Sequence, residues 1–180
     1  MLDHNKKFTF RFKDTKIVFN KLAHETEFHL FAKALVYALY HKDYRTLRAE
    51  VKLDEARFQP DLSAESYDGK MVFWAEVGKV SIDKVEKLFK KYRQAHFVFV
   101  KEERDVALFK QQLEKRFKDA VRLPLVDIIV YPEKFQEWNV SEDGDVFIKK
   151  EDVTIIRWHE PEDLEKFYWG GPLGRFTKIV

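Results

Sequence analysis

Asp61 and Glu76 are the residues best placed by type and spacing to do chemistry in this 180-residue sequence. They lie in RFQPDLSAESYDGKMVFWAEVGK, residues 57–79, which reads as two strands joined at Asp68-Gly69. Asp-Gly between alternating hydrophobic residues is the strongest short hairpin signal, because a type I′ turn needs positive φ at both central residues. With that turn Tyr67 faces Lys70, Ser63 faces Trp74 and Asp61 faces Glu76. Side chains directly opposite on one face have Cβ atoms about 4.5–5.5 Å apart. Two carboxylates so close repel unless a cation lies between them or one keeps its proton. At the open end of a hairpin, such a pair can hold a divalent metal. The other face carries Leu62, Ala64, Met71, Phe73 and Ala75 and reads as core.

A third carboxylate comes from residues 23–41, AHETEFHLFAKALVYALYH, which have helical period with Phe28, Ala32, Leu35, Val36 and Leu39 on one stripe. At roughly 100° per residue Glu25 falls at the centre of that stripe, whereas Glu27 points away. A carboxylate there is costly without a partner, so Glu25 either joins the Asp61–Glu76 pair or stays solvated as a first-turn Glu favoured by the helix dipole. His29, one turn later, lies beside the site or belongs to the hydrogen-bonded boundary of the helix. His24 at the helix start either contacts a phosphate or caps.

The elements that must position these groups follow from periodicity. Residues 7–19 alternate Phe8, Phe10 and Phe12 against Thr9, Arg11 and Lys13, then turn at Asp14-Thr15 into a second short strand. One strand is expected near Thr46–Leu53. Ser81 is a good N-cap for a helix over 82–94, with Ile82, Val85, Leu88, Phe89 and Tyr92 on one face. Residues 95–101 read as a buried strand, 103–118 as a helix, and Leu125–Tyr131 as another buried strand stopped by Pro132. This alternation predicts an α/β fold with parallel βαβ units on a mixed sheet. After Pro132, residues 133–160 read as a small antiparallel β meander, with Phe135–Val140 and Asp145–Ile148 flanking Asp143-Gly144 and a further strand at Val153–Trp158. Residues 1–160 are expected to form one domain and 161–180 an aromatic, Gly-rich tail.

Composition narrows the classes. Thirty-three basic and thirty-one acidic residues leave a net charge of +2, which does not favour wholesale coating of nucleic acid, though a local basic groove is compatible. The absence of cysteine excludes disulfides, thiolate catalysis and zinc-thiolate sites. No run is long and apolar enough for a bilayer, and MLDHNKKFTF lacks a signal-peptide core, so a soluble cytoplasmic protein with no membrane association is expected. There is no Gly-rich phosphate loop, HExxH or serine-centred nucleophile elbow. Arg45, Arg48, Lys52 and Arg57 either line a backbone-binding groove or form a solvated face. Trp74 either stacks on a base or walls the pocket.

The order of a helix headed by Glu25, a strand, Pro60-Asp61 on the next, Glu76 on the following one, then a helix and a strand, resembles the core of the PD-(D/E)XK nuclease superfamily. More of the chain resembles one branch, the YaeQ family, usually described as nuclease-like. The resemblance rests on His24-Glu25-Thr26, Gln59-Pro60-Asp61-Leu62, Trp74-Ala75-Glu76-Val77-Gly78 leading into a helix, and more loosely on Asp143-Gly144; it spans roughly residues 20 to 160. It implies a restriction-endonuclease-like sheet flanked by helices, with a C-terminal antiparallel β extension. It also implies that Asp61, Glu76 and the backbone carbonyl of Val77 bind Mg²⁺ or Mn²⁺, with Glu25 acting directly or through water.

The family's Glu-x-Lys pattern is broken here, because its third position is Gly78. Lys79 should point away unless a bulge re-aims it, since strand side chains alternate. Lys84, in the first turn of the next helix, is the other candidate; Lys87 lies nearly opposite that face. The alternative reading is that both lysines are solvated surface charges. Two functions follow: a metal-dependent nuclease acting on DNA or RNA, or a catalytically reduced protein of that fold that binds nucleic acid or a protein partner, a second copy included.

Overall fold

The computed structural model describes residues 6–21, 25–53, 58–120 and 122–162. The alternating phenylalanines form β1 (Lys6–Phe12), which turns at Lys13-Asp14 into an antiparallel β2 (Thr15–Lys21). Phe10 and Phe19 point inward from this hairpin, and Phe10 meets Phe31 of α1 (Glu27–Tyr40) edge-on at 5.3 Å between ring centres.

Helix α1 departs from the expectation of a single apolar stripe. Leu30, Phe31, Ala32, Lys33, Ala34, Leu35 and Val36 are all buried, because the β1–β2 hairpin covers one side of the helix and a second sheet covers the other. A helix apolar nearly all round is the sequence signature of such an interior helix. It also begins later than expected. Thr26 is its N-cap and its hydroxyl accepts from the His29 amide, so Glu25 stands before the cap and outside the helix.

The second sheet has six strands in the order β3-β4-β5-β6-β7-β8. They are β3 (Arg48–Ala49), β4 (Leu62–Glu65), β5 (Met71–Val77), β6 (His96–Lys101), β7 (Leu125–Val130) and β8 (Ile155–His159). Strands β5, β6 and β7 run parallel, linked by α2 (Ile82–Lys91) and α3 (Glu103–Phe117), and the outer pairings are antiparallel. This is the mixed sheet flanked by helices that the alternation predicted, with β8 as its antiparallel C-terminal edge. Helix α1 packs on the face built by Phe73, Ala75, Val77, Val98, Val100 and Ile129. Helices α2 and α3 pack on the opposite face, against Trp74, Phe97, Phe99, Val126 and Ile128.

Several local expectations are corrected. The β4–β5 turn is not type I′, since Gly69 alone has positive φ, at 78°. Gly69 N–H donates to Ser66 O at 2.9 Å and Ser66 N–H to Lys70 O at 2.8 Å, a longer loop with its positive-φ residue last. A bulge between Ala64 and Glu65 absorbs the extra residue, so Leu62–Ala75, Ser63–Trp74 and Ala64–Phe73 still pair as foreseen. Met71, beside the bulge, falls in the α2/α3 core instead of the α1 core. The strand near 46–53 is cut to two residues, because Glu50 adopts a left-handed φ of 54° and ends the ladder. Helix α2 stops at Lys91 rather than 94.

Phe135–Trp138 is a short helical turn, α4, and not a strand. The Asp143-Gly144 hairpin forms, with Val140 bridged to Val146, but it docks on β1 instead of the large sheet. Arg11 N–H donates to Gly144 O at 2.7 Å and Val146 N–H to Arg11 O at 2.8 Å. A Cβ at Gly144 would lie 2.1 Å from Thr9 O, so only glycine allows this approach. His24, Arg57 and residues 163–180 of the tail lie outside the described residues.

Candidate functional site

Asp61 immediately precedes β4, one residue out of step with the register that ends at Leu62–Ala75. Its N–H donates to Ala75 O and its carbonyl accepts from Glu50 N–H, both at 3.1 Å. The Asp61 charge reaches Glu76 and raises its carboxyl, so the two acids share one end of the β4–β5 pair. Asp61 Oδ2 accepts from Val77 N–H at 2.7 Å, so the backbone of Val77 is already engaged on this side chain. Glu76 is 6% exposed; Trp74 Nε1 donates to its Oε1 at 2.8 Å and Lys84 Nζ to its Oε2 at 2.7 Å.

Burial dominates the electrostatics of both acids. It pushes the Asp61 carboxyl above its ordinary range despite Val77 N–H, Lys33, His29 and Lys84. It does the same to Glu76 despite Lys84 and Trp74, and the neighbouring Asp61 adds to the rise. Desolvated carboxylates with incomplete compensation are a recurrent mark of functional sites.

Of the two candidate lysines, Lys84 arrives and Lys79 does not. Ser81 caps α2 by accepting from Lys84 N–H at 3.2 Å, which fixes the turn that aims Lys84 at Glu76. Lys79 is exposed and makes no ion pair with either acid. The strand ends at Val77, and Gly78 turns away with φ 74°, so no bulge brings Lys79 back.

Glu25 is held elsewhere: Lys33 Nζ donates to Glu25 Oε1 and to Glu50 Oε1, both at 2.7 Å. Lys33 is 1% exposed and its Nζ lies 5.3 Å from the centre of the Phe19 ring. Burial alone would lower its pKa, but the two glutamates outweigh that and raise it. Lys33 also acts on Asp61, so it links Glu25 electrostatically to the pair. Among the described residues no three His, Asp or Glu side chains gather as a metal-ligand set.

Lys33, Glu50 and Lys101 were not anticipated. Lys101 ends β6 on the same face as Phe97 and Phe99. Its Nζ bonds Gly78 O and lies 4.1 Å from the centre of the Phe109 ring. Burial drives its pKa down to about 8, against the pull of Asp105 and Glu76. Strand alternation was the signal that could have found it, since AHFVFVK puts its lysine in line with two core phenylalanines. Nothing comparable flagged Glu50, whose left-handed backbone is a tertiary outcome. Trp74 is wholly buried and stacked on Tyr92 at 5.3 Å, so it walls the site and cannot receive a base. Arg45, Arg48 and Lys52 are exposed, and Arg48 pairs with Glu65 at 3.7 Å; they form a solvated face.

A second buried polar cluster occupies the α1 side of the sheet, nearer the start of β6. Asp127 Oδ2 bonds His96 Nε2 at 2.9 Å and Tyr40 OH at 3.1 Å, and Asp127 Oδ1 accepts from Arg157 Nε at 2.5 Å. Tyr44 OH completes the chain at His96 Nδ1, 2.9 Å away. Burial pushes Asp127 up, but His96 and Arg157 together hold it at about 2.

The class these features define is an α/β protein in which a hairpin and the helix after β5 gather buried carboxylates and lysines near the C-terminal ends of parallel strands. The sequence matches the YaeQ protein family over residues 11–157, and the chain belongs to that family. The fold is similar to the crystal structure of YaeQ protein from Pseudomonas syringae, with TM-score 0.57, 16% identity, and 82% of this chain and 83% of that one covered. It is also similar to YaeQ protein from Xanthomonas axonopodis pv. citri, with TM-score 0.50, 16% identity, and 70% and 73% covered. No curated protein matches the sequence. Among the described residues no helix is long and apolar enough to cross a membrane.

Proposed function

We propose that this chain is a divalent-metal-dependent phosphodiesterase of the PD-(D/E)XK type, with a restriction-endonuclease-like core and DNA or RNA as its substrate. The observation that carries the reading is the Asp61–Glu76 pair: a half-buried and a buried carboxylate within each other's reach, both pushed above their ordinary range, with Lys84 bound to one of them. A cytoplasmic location belongs to the same reading, since nucleic acid is the substrate.

The donor set fits Mg²⁺ or Mn²⁺, which favour hard oxygen ligands. Asp61, Glu76 and the Val77 carbonyl would hold the ion, with Glu25 contributing through water. Both Glu76 oxygens already accept a hydrogen bond, but a carboxylate oxygen has a second lone pair to share. A bound cation would relieve the repulsion between the acids, stabilise charge on the phosphate and acidify a water. Trp74 and Lys84 orient Glu76, Val77 N–H orients Asp61, and Lys84 adds positive charge where a phosphate would approach.

One observation favours the reduced-enzyme alternative, a protein that binds nucleic acid or a protein partner. Lys33 and Lys84 already neutralise Glu25 and Glu76, which is the service a metal would give. Calorimetric titration with Mn²⁺ separates the two. The nuclease reading expects binding that disappears in Asp61→Ala/Glu76→Ala, and no binding to the intact chain would leave the alternative.

A further inference from the structure

Gly78 occupies the third position of the interrupted Glu-x-Lys pattern, and its surroundings say what took the place of a side chain there. Its N–H donates to Val100 O at 3.0 Å and its carbonyl accepts from Lys101 Nζ, so the residue is pinned on both sides. Its φ of 74° lies in the left-handed region that favours glycine. A Cβ on this residue would come 3.1 Å from His29 Nε2, 3.5 Å from His29 Cε1 and 3.6 Å from a Phe28 ring carbon. The imidazole of His29 therefore fills the space that a side chain at position 78 would need.

The ring is fixed as well as placed. Thr26 Oγ1 accepts from the His29 amide at 3.4 Å as the N-cap and meets His29 Nδ1 at 2.9 Å. The hydroxyl thus holds the ring at Nδ1 and leaves Nε2 as the ring nitrogen that faces position 78. Phe28 meets the His29 ring edge-on at 5.6 Å and is itself held by Tyr131 at 4.9 Å. His29 also stands within the field of Asp61. A capped helix start thus sets His29 Nε2 at position 78 and within reach of Asp61, while Lys84 serves Glu76 from α2.

We propose that His29 is a substrate-contacting residue of this site, its Nε2–H donating to a non-bridging oxygen of the phosphodiester in the role that the pattern's missing lysine would otherwise take. The inference rests on the phosphodiesterase reading and adds to it a second, α1-side contact to the phosphate.

The test uses the full chain with ¹⁵N-labelled histidine, titrated with the dinucleotide TpT while imidazole nitrogen resonances are followed. Hydrolysis of bis(p-nitrophenyl) phosphate with Mn²⁺ is measured in parallel on wild type, Asp61→Ala, His29→Ala and His29→Gln. The proposal expects the His29 Nε2 resonance to move with TpT. It also expects His29→Ala to lose about ten- to hundredfold in cleavage, the scale of one hydrogen bond to a charged group, with Mn²⁺ affinity unchanged. His29→Gln, which keeps a donor, should recover part of the loss. An unmoved Nε2 resonance at saturating TpT, or cleavage by His29→Ala within twofold of wild type, overturns the proposal. Failure of the underlying reading has a different signature: wild type neither binds Mn²⁺ nor cleaves, and Asp61→Ala changes nothing, whatever the Nε2 resonance does.

Discussion

Two groups of acids at the same sheet are treated in opposite ways. Asp127 lies in a closed network, with His96, Tyr40 and Arg157 together using both of its oxygens, and is held at about 2. Asp61 and Glu76 share one end of the β4–β5 pair, receive fewer compensating donors, and are pushed upward. Burial is the largest single influence on all three. The sign of the outcome is decided by how many donors the fold spends on each acid. An acid whose donors outweigh its burial is architecture, and one that burial still raises is a mark of a functional site.

The comparison breaks most sharply at Asp127. Asp127→Ala leaves Arg157 and His96 facing an emptied interior and should cost about 3–5 kcal/mol in urea unfolding, the range for removing one partner of a buried pair. A loss under 1 kcal/mol would mean the network is not closed.

Acid titration of stability sharpens it next. Asp127 is depressed in the folded state, so its contribution is complete above the ordinary carboxylate range and is lost as pH falls from about 4 to about 2. Asp61 and Glu76 have the opposite sign. Raised in the folded state, they take up protons more readily there, so they weigh against the fold at neutral pH and cease to do so as pH falls toward the ordinary range. The gap in stability between wild type and Asp61→Asn/Glu76→Gln should therefore be wide at neutral pH and close on acidification. At neutral pH the double variant should be more stable than wild type by about 0.5–2 kcal/mol, the range of a stabilising substitution at a site that trades stability for function. A loss of stability would place these acids with Asp127 as architecture.

The smallest effect tests how the site is aimed. Ser81→Ala removes the cap that sets the first turn of α2 and should cost about 1 kcal/mol, while loosening Lys84 from Glu76. Proton exchange at the Lys84 ammonium, followed by NMR, reads the second part; unchanged exchange would mean that the ion pair does not depend on the cap.

How much of this was legible in the sequence varied with the range of the forces involved. Local signals served well: Ser81 as N-cap, the phenylalanine alternation of β1, and the strand-helix rhythm from β5 to β7 all act within a few residues. Leu62–Ala75, Ser63–Trp74 and Ala64–Phe73 pair as expected although the turn type was wrong, because the bulge at Ala64–Glu65 restored the register that the longer loop would have lost. What failed was long-range. Reading α1 as a one-faced helix put Glu25 on its apolar stripe, whereas the covering hairpin comes from residues 6–21 and the helix is buried on both sides. Lys33 is the clearest case. An interior lysine is read from its partners, and Glu25 and Glu50 become its partners only once the left-handed turn at Glu50 closes.

The double burial of α1 has a consequence for how the chain is made. Between Tyr40 leaving the ribosome and Ile129 following it, synthesis runs on the order of ten seconds, and until the strands of that interval assemble the helix has only its own hairpin to lean on. The face destined for β4 to β7 stays open to solvent, a ready target for nascent-chain chaperones until the sheet arrives to close over it.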